Sequence, residues 1–335
     1  MDGFVTRRWH FCRYTGRFFG LSRQNERICA LKIWRVKKTP YICGMKTNKT
    51  TPIGIFDSGY GGLSIFREIH RLLPGYDYIY LGDNKRAPYG DRSFDEVFDF
   101  TKQAVNQLFD MGCPLIVLAC NTASAKALRN IQQRVLPYSS DPTRRVLGVV
   151  RPTVERIGQL TYSGHIGVIA TQATISSQSY DMELEKIPTT LRLDFKPLVV
   201  NSVACPRWVP MIESGLQNTP QMYQAVHEDL SALLDKDPDI DAIILGCTHY
   251  PLITSLIQKV LQDLEHPEII LMPQGKPVAY ALQDYLRRHP EMDERLTKNL
   301  LVRYYTTGDA ERFEKKSSVF LSNHSDIKVE TLTLG

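Results

Sequence analysis

From Ile53 onward, short runs of aliphatic and β-branched residues alternate with stretches of helical period, and this alternation admits few folds. The runs are Ile53–Phe56, Asp77–Leu81, Pro114–Ala119, Val146–Val150, Ile166–Ala170, Ile240–Leu245, Ile269–Met272 and Leu301–Tyr305. They are apolar along most of their length, as strands buried on both faces are. Between them lie helices such as 94–111, whose apolar side carries Phe94, Val97, Phe98, Val105, Leu108 and Phe109. That helix opens on the capping box Ser93–Glu96 and stops at Gly112. Thr219-Pro220 opens another, as N-cap and first-turn proline. Strands alternating with helices predict an α/β protein with mostly parallel, doubly wound sheets. A length of 335 residues leaves room for two such domains, each with its own core. The stretch from Arg312 to Gly335 reads as a final helix and strand.

A short internal repeat sharpens this picture. Ile53-Gly54-Ile55-Phe56-Asp57-Ser58 resembles Ile166-Gly167-Val168-Ile169-Ala170-Thr171, and Cys120-Asn121 and Cys247-Thr248 follow the two copies at similar distances. The expectation is two similar α/β domains facing each other across a central cleft. The first is expected to comprise residues 45–147 with 265–335, and the second residues 148–264.

The formal net charge of +5 is unevenly spread. Residues 1–44 hold ten Lys/Arg against Asp2 and Glu26, which leaves 31 basic and 34 acidic residues for the remainder. A clustered basic face of the kind that binds nucleic acid is therefore not expected there. The basic segment shows no helix or strand period and no apolar secretory core. It reads either as an organellar transit peptide or as an extension, disordered or non-native, ahead of a start at Met45; the second reading is preferred. No run of eighteen apolar residues occurs, so no membrane span is expected. Seven cysteines without CxxC spacing argue for free thiols in a reducing cytoplasm rather than a disulfide framework.

In doubly wound sheets, ligands sit beyond the carboxyl ends of the strands. The residues there are Asp57-Ser58-Gly59-Tyr60-Gly61-Gly62, Gly82-Asp83 leading to Pro88-Tyr89-Gly90, Cys120-Asn121-Thr122, and Gly246-Cys247-Thr248-His249. Cys120 and Cys247 each end a strand and face a helix start, where amides and the helix dipole favour a thiolate. Buried core thiols are the plainer reading, and it suits Cys113 and Cys205 better. A metal site of Cys120, Cys247 and His249 lacks a second His or a CxxC pair. The first glycine-rich loop has neither dinucleotide nor P-loop spacing; its Asp57 would attract an ammonium group, orient a thiol, or cap the next helix. Asp83 reads equally as a site residue or as a surface ion pair with Lys85 and Arg86. His249 sits where a proton shuttle for Cys247 belongs. Glu213, on spacing alone, reads as a solvated charge at a helix end.

At these residues the chain resembles the glutamate racemase family of the aspartate/glutamate racemase superfamily. The resemblance runs from about Thr51 to Asp309 and rests on Asp57–Leu63, Tyr80–Asp83 with Pro88-Tyr89-Gly90, Ala119–Ala123, and Gly246–Pro251. It implies that Cys120 and Cys247 are the two acid/base thiols, assisted by Asp57, His249 and Glu213. It places Asp57, Ser58, Tyr89, Gly90, Asn121, Thr122, Thr248 and His249 around the substrate. One departure is Gln172-Ala173, where the family more often has Gly before Thr; another is a stretch, Pro137–Arg145, longer than usual.

Racemisation removes a proton from one face of Cα and returns one to the other, which two opposed bases do readily and a single base does not. No lysine lies in a recognisable Schiff-base context, so neither cofactor nor metal is expected, and electrostatic preorganisation must lower the barrier. The family further implies a cytoplasmic homodimer supplying D-glutamate for peptidoglycan, with glutamate as its small-molecule partner. Rival readings are a racemase of aspartate or another small acid, a non-catalytic binding protein for acidic ligands, and a hydrolase with one cysteine nucleophile.

Overall fold

The computed structural model describes residues 50–187, 197–321 and 327–335. The expectations for residues 1–44 and for a start at Met45 lie outside the described residues.

In chain order the strands are β1 (Ile53–Asp57), β2 (Tyr78–Gly82), β3 (Leu115–Leu118), β4 (Arg145–Gly148), β5 (His165–Ala170), β6 (Val199–Ala204), β7 (Ala242–Gly246), β8 (Ile270–Met272), β9 (Val302–Thr306) and β10 (Val329–Thr331). They form a first sheet of order β10-β9-β2-β1-β3-β4 and a second of order β6-β5-β7-β8. Every pairing in both sheets is parallel. The core of each sheet repeats one plan: β2-β1-β3-β4 in the first lobe matches β6-β5-β7-β8 in the second. The expected α/β class and paired lobes are therefore present, and the repeated sequence falls on β1 and β5, equivalent strands.

Because successive strand residues point to opposite faces, each sheet feeds two cores. Ile53, Ile55, Tyr78, Tyr80, Leu115 and Val117 pack on one side of the first sheet, while Phe56, Ile79, Leu81, Ile116 and Leu118 pack on the other. In the second sheet Ile169, Ile243 and Leu245 face one core, and Ile166, Val168, Ala242 and Ile244 the other. Helices cover all four faces, as parallel sheets require. The helix Phe94–Asp110 starts where expected: Ser93 Oγ accepts from the Glu96 amide, and Glu96 accepts from the Ser93 amide at 3.1 Å. It ends at Gly112, whose φ of +94° suits a residue without Cβ. Phe94, read as part of the apolar side, is instead 46% exposed. No helix among the described residues is long and apolar enough to cross a membrane.

The structure corrects one domain boundary and adds one strand. The chain does not return to the first lobe at residue 265, since Ile270–Met272 pairs with β7 in the second sheet. The return follows Met272, with helix Gly275–Arg288 packing on helix Leu63–Leu72 of the first lobe. The added strand is β6, a half-exposed edge strand whose Asn201 and Ser202 interrupt the apolar run by which the other strands were legible. Arg312–Gly335 contains the rest of helix Ala310–Leu321 and β10, as expected. The long stretch Pro137–Arg145 is tied down by an ion pair from Arg295 to Asp141 at 2.6 Å.

Candidate active site

The carboxyl ends of β1, β2 and β3 in one lobe and β5, β6 and β7 in the other open onto one cleft of about 630 Å³, part of it open to solvent. The first lobe lines it with Ser58, Tyr89, Gly90, Cys120, Asn121 and Thr122; the second contributes Thr171, Cys205, Glu213, Cys247, Thr248 and His249. None of the lining residues is Lys or Arg. A carboxylate in the cleft must therefore rely on amides, hydroxyls and the His249 ring.

The lobes approach closely because of glycine at the turn after β1. A Cβ at Gly61 would lie 2.2 Å from Thr248 Oγ1 and 2.6 Å from His249 Nδ1. Only a residue with no side chain lets this turn meet the loop carrying Cys247. Ser64, one turn on, donates its hydroxyl to the Thr248 carbonyl at 2.9 Å.

Cys120 follows β3 and caps the six-residue helix Asn121–Lys126, its sulfur accepting from the Ala123 amide at 3.4 Å. Its thiol also donates to the Ser58 hydroxyl at 3.4 Å. The capping position does not, however, make it a thiolate. Burial, and then the Asp57 carboxylate, push the Cys120 thiol up to about 12, and the Ser58 hydroxyl and nearby amides offset only part of this. The expected lowering by the helix start is thus overturned at this cysteine.

Asp57 is fully buried beside the cleft, is not among the residues that line it, and keeps its Oδ1 without a hydrogen-bond partner among the described residues. Nor does it cap the following helix, whose N-cap is Gly62. It accepts from the Gly59 amide at 2.9 Å. Burial holds its carboxyl above the usual range, against the pull of His249 and of the Gly62 and Gly59 amides. It couples electrostatically to Cys120 on one side and to His249 and Glu213 on the other.

Cys247 follows β7, the counterpart of β3, in a different setting. Its sulfur lies 3.8 Å from His249 Nδ1, and His249 Nε2 lies 3.0 Å from Glu213 Oε1. Burial works against a charged imidazole, but Cys247 and Glu213 on its two nitrogens outweigh it and push His249 up to about 10. Glu213 is buried enough to resist ionisation, yet His249, Lys316 and Arg312 hold it below the usual carboxylate range. Lys316 also donates to the Glu213 carbonyl at 2.6 Å, from helix Ala310–Leu321 of the first lobe. Glu213 is therefore not a solvated helix-end charge; it is the far member of a Cys247–His249–Glu213 chain of side-chain contacts.

Asp83 is no surface ion pair either. It is fully buried, takes Arg86 Nε at 2.6 Å and Thr307 Oγ1 at 2.7 Å, and accepts the Tyr89 hydroxyl. This anchors the loop through Gly90, whose carbonyl accepts from the Ala173 amide of the second lobe at 2.9 Å. Alanine at 173 thus keeps its place in the loop through its backbone. Thr122 Oγ1 meets Thr171 Oγ1 at 3.1 Å and Thr174 Oγ1 at 3.2 Å across the same boundary. The Asn121 side chain is engaged with Gln274 and Tyr180, so its free contribution to the cleft is its backbone. Thr171 and the Asn121 partners were not picked out from sequence. The repeat itself carried a signal for Thr171, which stands opposite Ser58. Cys205 is buried as expected, but it also lines the cleft.

Fold and site together define a class: two repeated parallel α/β lobes, each delivering a cysteine from the end of its third strand into a shared cleft. Residues 53–270 match the Asp/Glu/hydantoin racemase family, and the chain belongs to it. It is 37% identical over 279 residues to a glutamate racemase of Paracoccus denitrificans, covering 80% of this chain and 96% of that one. Among solved structures it is similar to a glutamate racemase isoform of Bacillus anthracis, with 35% identity, a TM-score of 0.73, and 85% and 98% of the two chains covered. It is also similar to the Francisella tularensis glutamate racemase solved with D-glutamate, with 31% identity, a TM-score of 0.70, and the same two coverages.

Proposed function

We propose that the chain is a glutamate racemase that interconverts L- and D-glutamate by two-base proton transfer at Cα, without a cofactor. The observation that carries this reading is the pair of cysteines at equivalent strand ends of the two lobes, lining one cleft in unlike electrostatic settings. In one direction the Cys247 thiolate, paired with the His249 imidazolium, removes the Cα proton, and the Cys120 thiol returns a proton to the opposite face. The electron pair of the broken C–H bond is held on the adjoining carboxylate as an enediolate until the second transfer. After turnover Cys120 is the thiolate and Cys247 the thiol, which is the form that starts the reverse direction. Glu213 keeps His249 oriented and charged, and Asp57 disfavours a standing thiolate at Cys120. The substrate carboxylates sit against Ser58, Tyr89-Gly90, the Asn121 and Thr122 backbone, and Thr248, where preorganised donors stabilise the developing charge. This site composition suits an acidic amino acid, and relatives named as glutamate racemases cover nearly their whole length in the match.

The same reading includes a cytoplasmic homodimer that supplies D-glutamate for peptidoglycan, and a division of the described residues into lobes of 50–148 with about 273–335, and 149–272. Circular dichroism of the purified protein with L-glutamate and, separately, D-glutamate tests the activity. Both signals are expected to decay to zero without added cofactor. Stable signals with glutamate and decay with aspartate would move the substrate; stable signals with both would return the binding-protein reading.

A further inference from the structure

Cys120 and Cys247 belong to different sheets, so whatever fixes the spacing of their turns also fixes how they address a substrate between them. One buried polar network joins those turns. Asn121, directly after Cys120, donates its side-chain amide to Gln274 Oε1 at 2.5 Å. Its carbonyl oxygen accepts from Gln274 Nε2 at 3.0 Å and from the Tyr180 hydroxyl at 2.7 Å. Gln274 Nε2 also reaches the Tyr180 oxygen at 2.7 Å and Thr153 Oγ1 at 3.2 Å. None of these four residues is more than 3% exposed. On its other side the Tyr180 ring abuts Gly246, directly before Cys247: a Cβ at Gly246 would lie 3.4 Å from Tyr180 Cε2. Tyr180 therefore has its hydroxyl on the residue after one thiol and its ring against the residue before the other.

We infer that Tyr180 and Gln274 are positioning residues of the racemisation site, a buried spacer that holds the Cys120 and Cys247 turns at one separation and one mutual aim. The inference rests on the racemase reading above. Its physical basis is the difference between polar and apolar joints. A fully satisfied buried network specifies a single arrangement of its members, whereas apolar packing of similar volume tolerates sliding. Two-base transfer is sensitive to such sliding, because each sulfur must reach Cα along its own line. Gln274 stands where the chain recrosses from β8 to helix Gly275–Arg288, so the spacer is built at the crossing point between lobes.

The test uses the full chain, Tyr180→Phe and Gln274→Met. Tyr180→Phe keeps the ring against Gly246 and deletes only the hydroxyl, so it remains informative if the Gln274 variant folds poorly. For each protein kcat and KM are measured with both enantiomers, beside thermal melting by circular dichroism. In each folded variant kcat is expected to fall about tenfold or more while KM stays within about threefold. A kcat within about twofold of the unmodified protein, a loss confined to KM, or a loss that vanishes once rates are corrected for folded fraction would each overturn the spacer. Failure of the unmodified protein to racemise glutamate would instead overturn the racemase reading beneath it.

Discussion

At the residue scale the site works by contrast between two identical side chains. In the proposed reaction Cys120, buried beside a carboxylate and pushed up to about 12, supplies the acid, and Cys247, facing an imidazole backed by Glu213, supplies the base. Replacing either with alanine is expected to lower kcat by at least about a hundredfold in both directions, measured polarimetrically, because each direction uses both sulfurs. Near-normal turnover in either variant would contradict this assignment. His249 supplies a second check. Since its pKa is raised, from 6.5 to about 10, its contribution to stability is full below about pH 6.5 and is lost as pH rises through about 10. Activity is expected to decline over the same alkaline limb as His249 loses its proton. In His249→Asn that limb should be absent from the pH profile of kcat/KM, and an unchanged limb would assign it elsewhere.

At the scale of elements, the turns after the strands matter more than the strands. Gly61→Ala places a methyl carbon 2.2 Å from Thr248 Oγ1 and forces the first-lobe turn off the Cys247 loop. The expected cost is about 1–3 kcal/mol of stability, read from denaturant midpoints, together with a fall in kcat. Another turn shows how a buried carboxylate fastens an element. Asp77, ahead of β2, accepts from the Asn299 amide at 2.8 Å and the Leu301 amide at 3.0 Å, fixing the approach to β9. Burial alone would raise its pKa, but these amides and the Thr297 and Asn299 side chains hold it below the usual carboxylate value. Its stabilisation is therefore present above the ordinary carboxylate pKa and is lost as pH falls. Asp77→Asn should cost about 1–3 kcal/mol at neutral pH, with the gap to the parent protein closing in acid. Eight strands were legible as largely apolar runs, and β1, β2, β3 and β7 among them are buried at every residue. Edge strand β6 was not, since Asn201 and Ser202 sit in its half-exposed run. The boundary near 265 was misplaced because β8, only three residues long, carries no mark of which sheet it joins.

At the scale of the whole molecule, repetition of one sheet plan puts two cysteines at equivalent strand ends. That much could be read from the Ile53 and Ile166 segments and from the cysteine after each. What the cysteines experience could not be read, because pKa depends on neighbours distant in sequence. Burial and then the Asp57 carboxylate override the helix start at Cys120, and Glu213 reaches His249 across 36 positions. The buried Asn121–Gln274 pair spans 153 positions, and neither residue type announces a buried role. Resemblance to a family supplied Glu213, which local spacing had assigned to solvent.

The most direct test of two-thiol racemisation is the isotopic fate of the Cα hydrogen in D₂O, followed by NMR in the first few per cent of reaction from each enantiomer. The product of each direction is expected to carry deuterium at Cα, delivered by the opposite thiol, while recovered substrate keeps its original proton. Product that retains the substrate proton, or recovered substrate that gains deuterium as fast as product forms, would mean that one base serves both faces and would contradict the account.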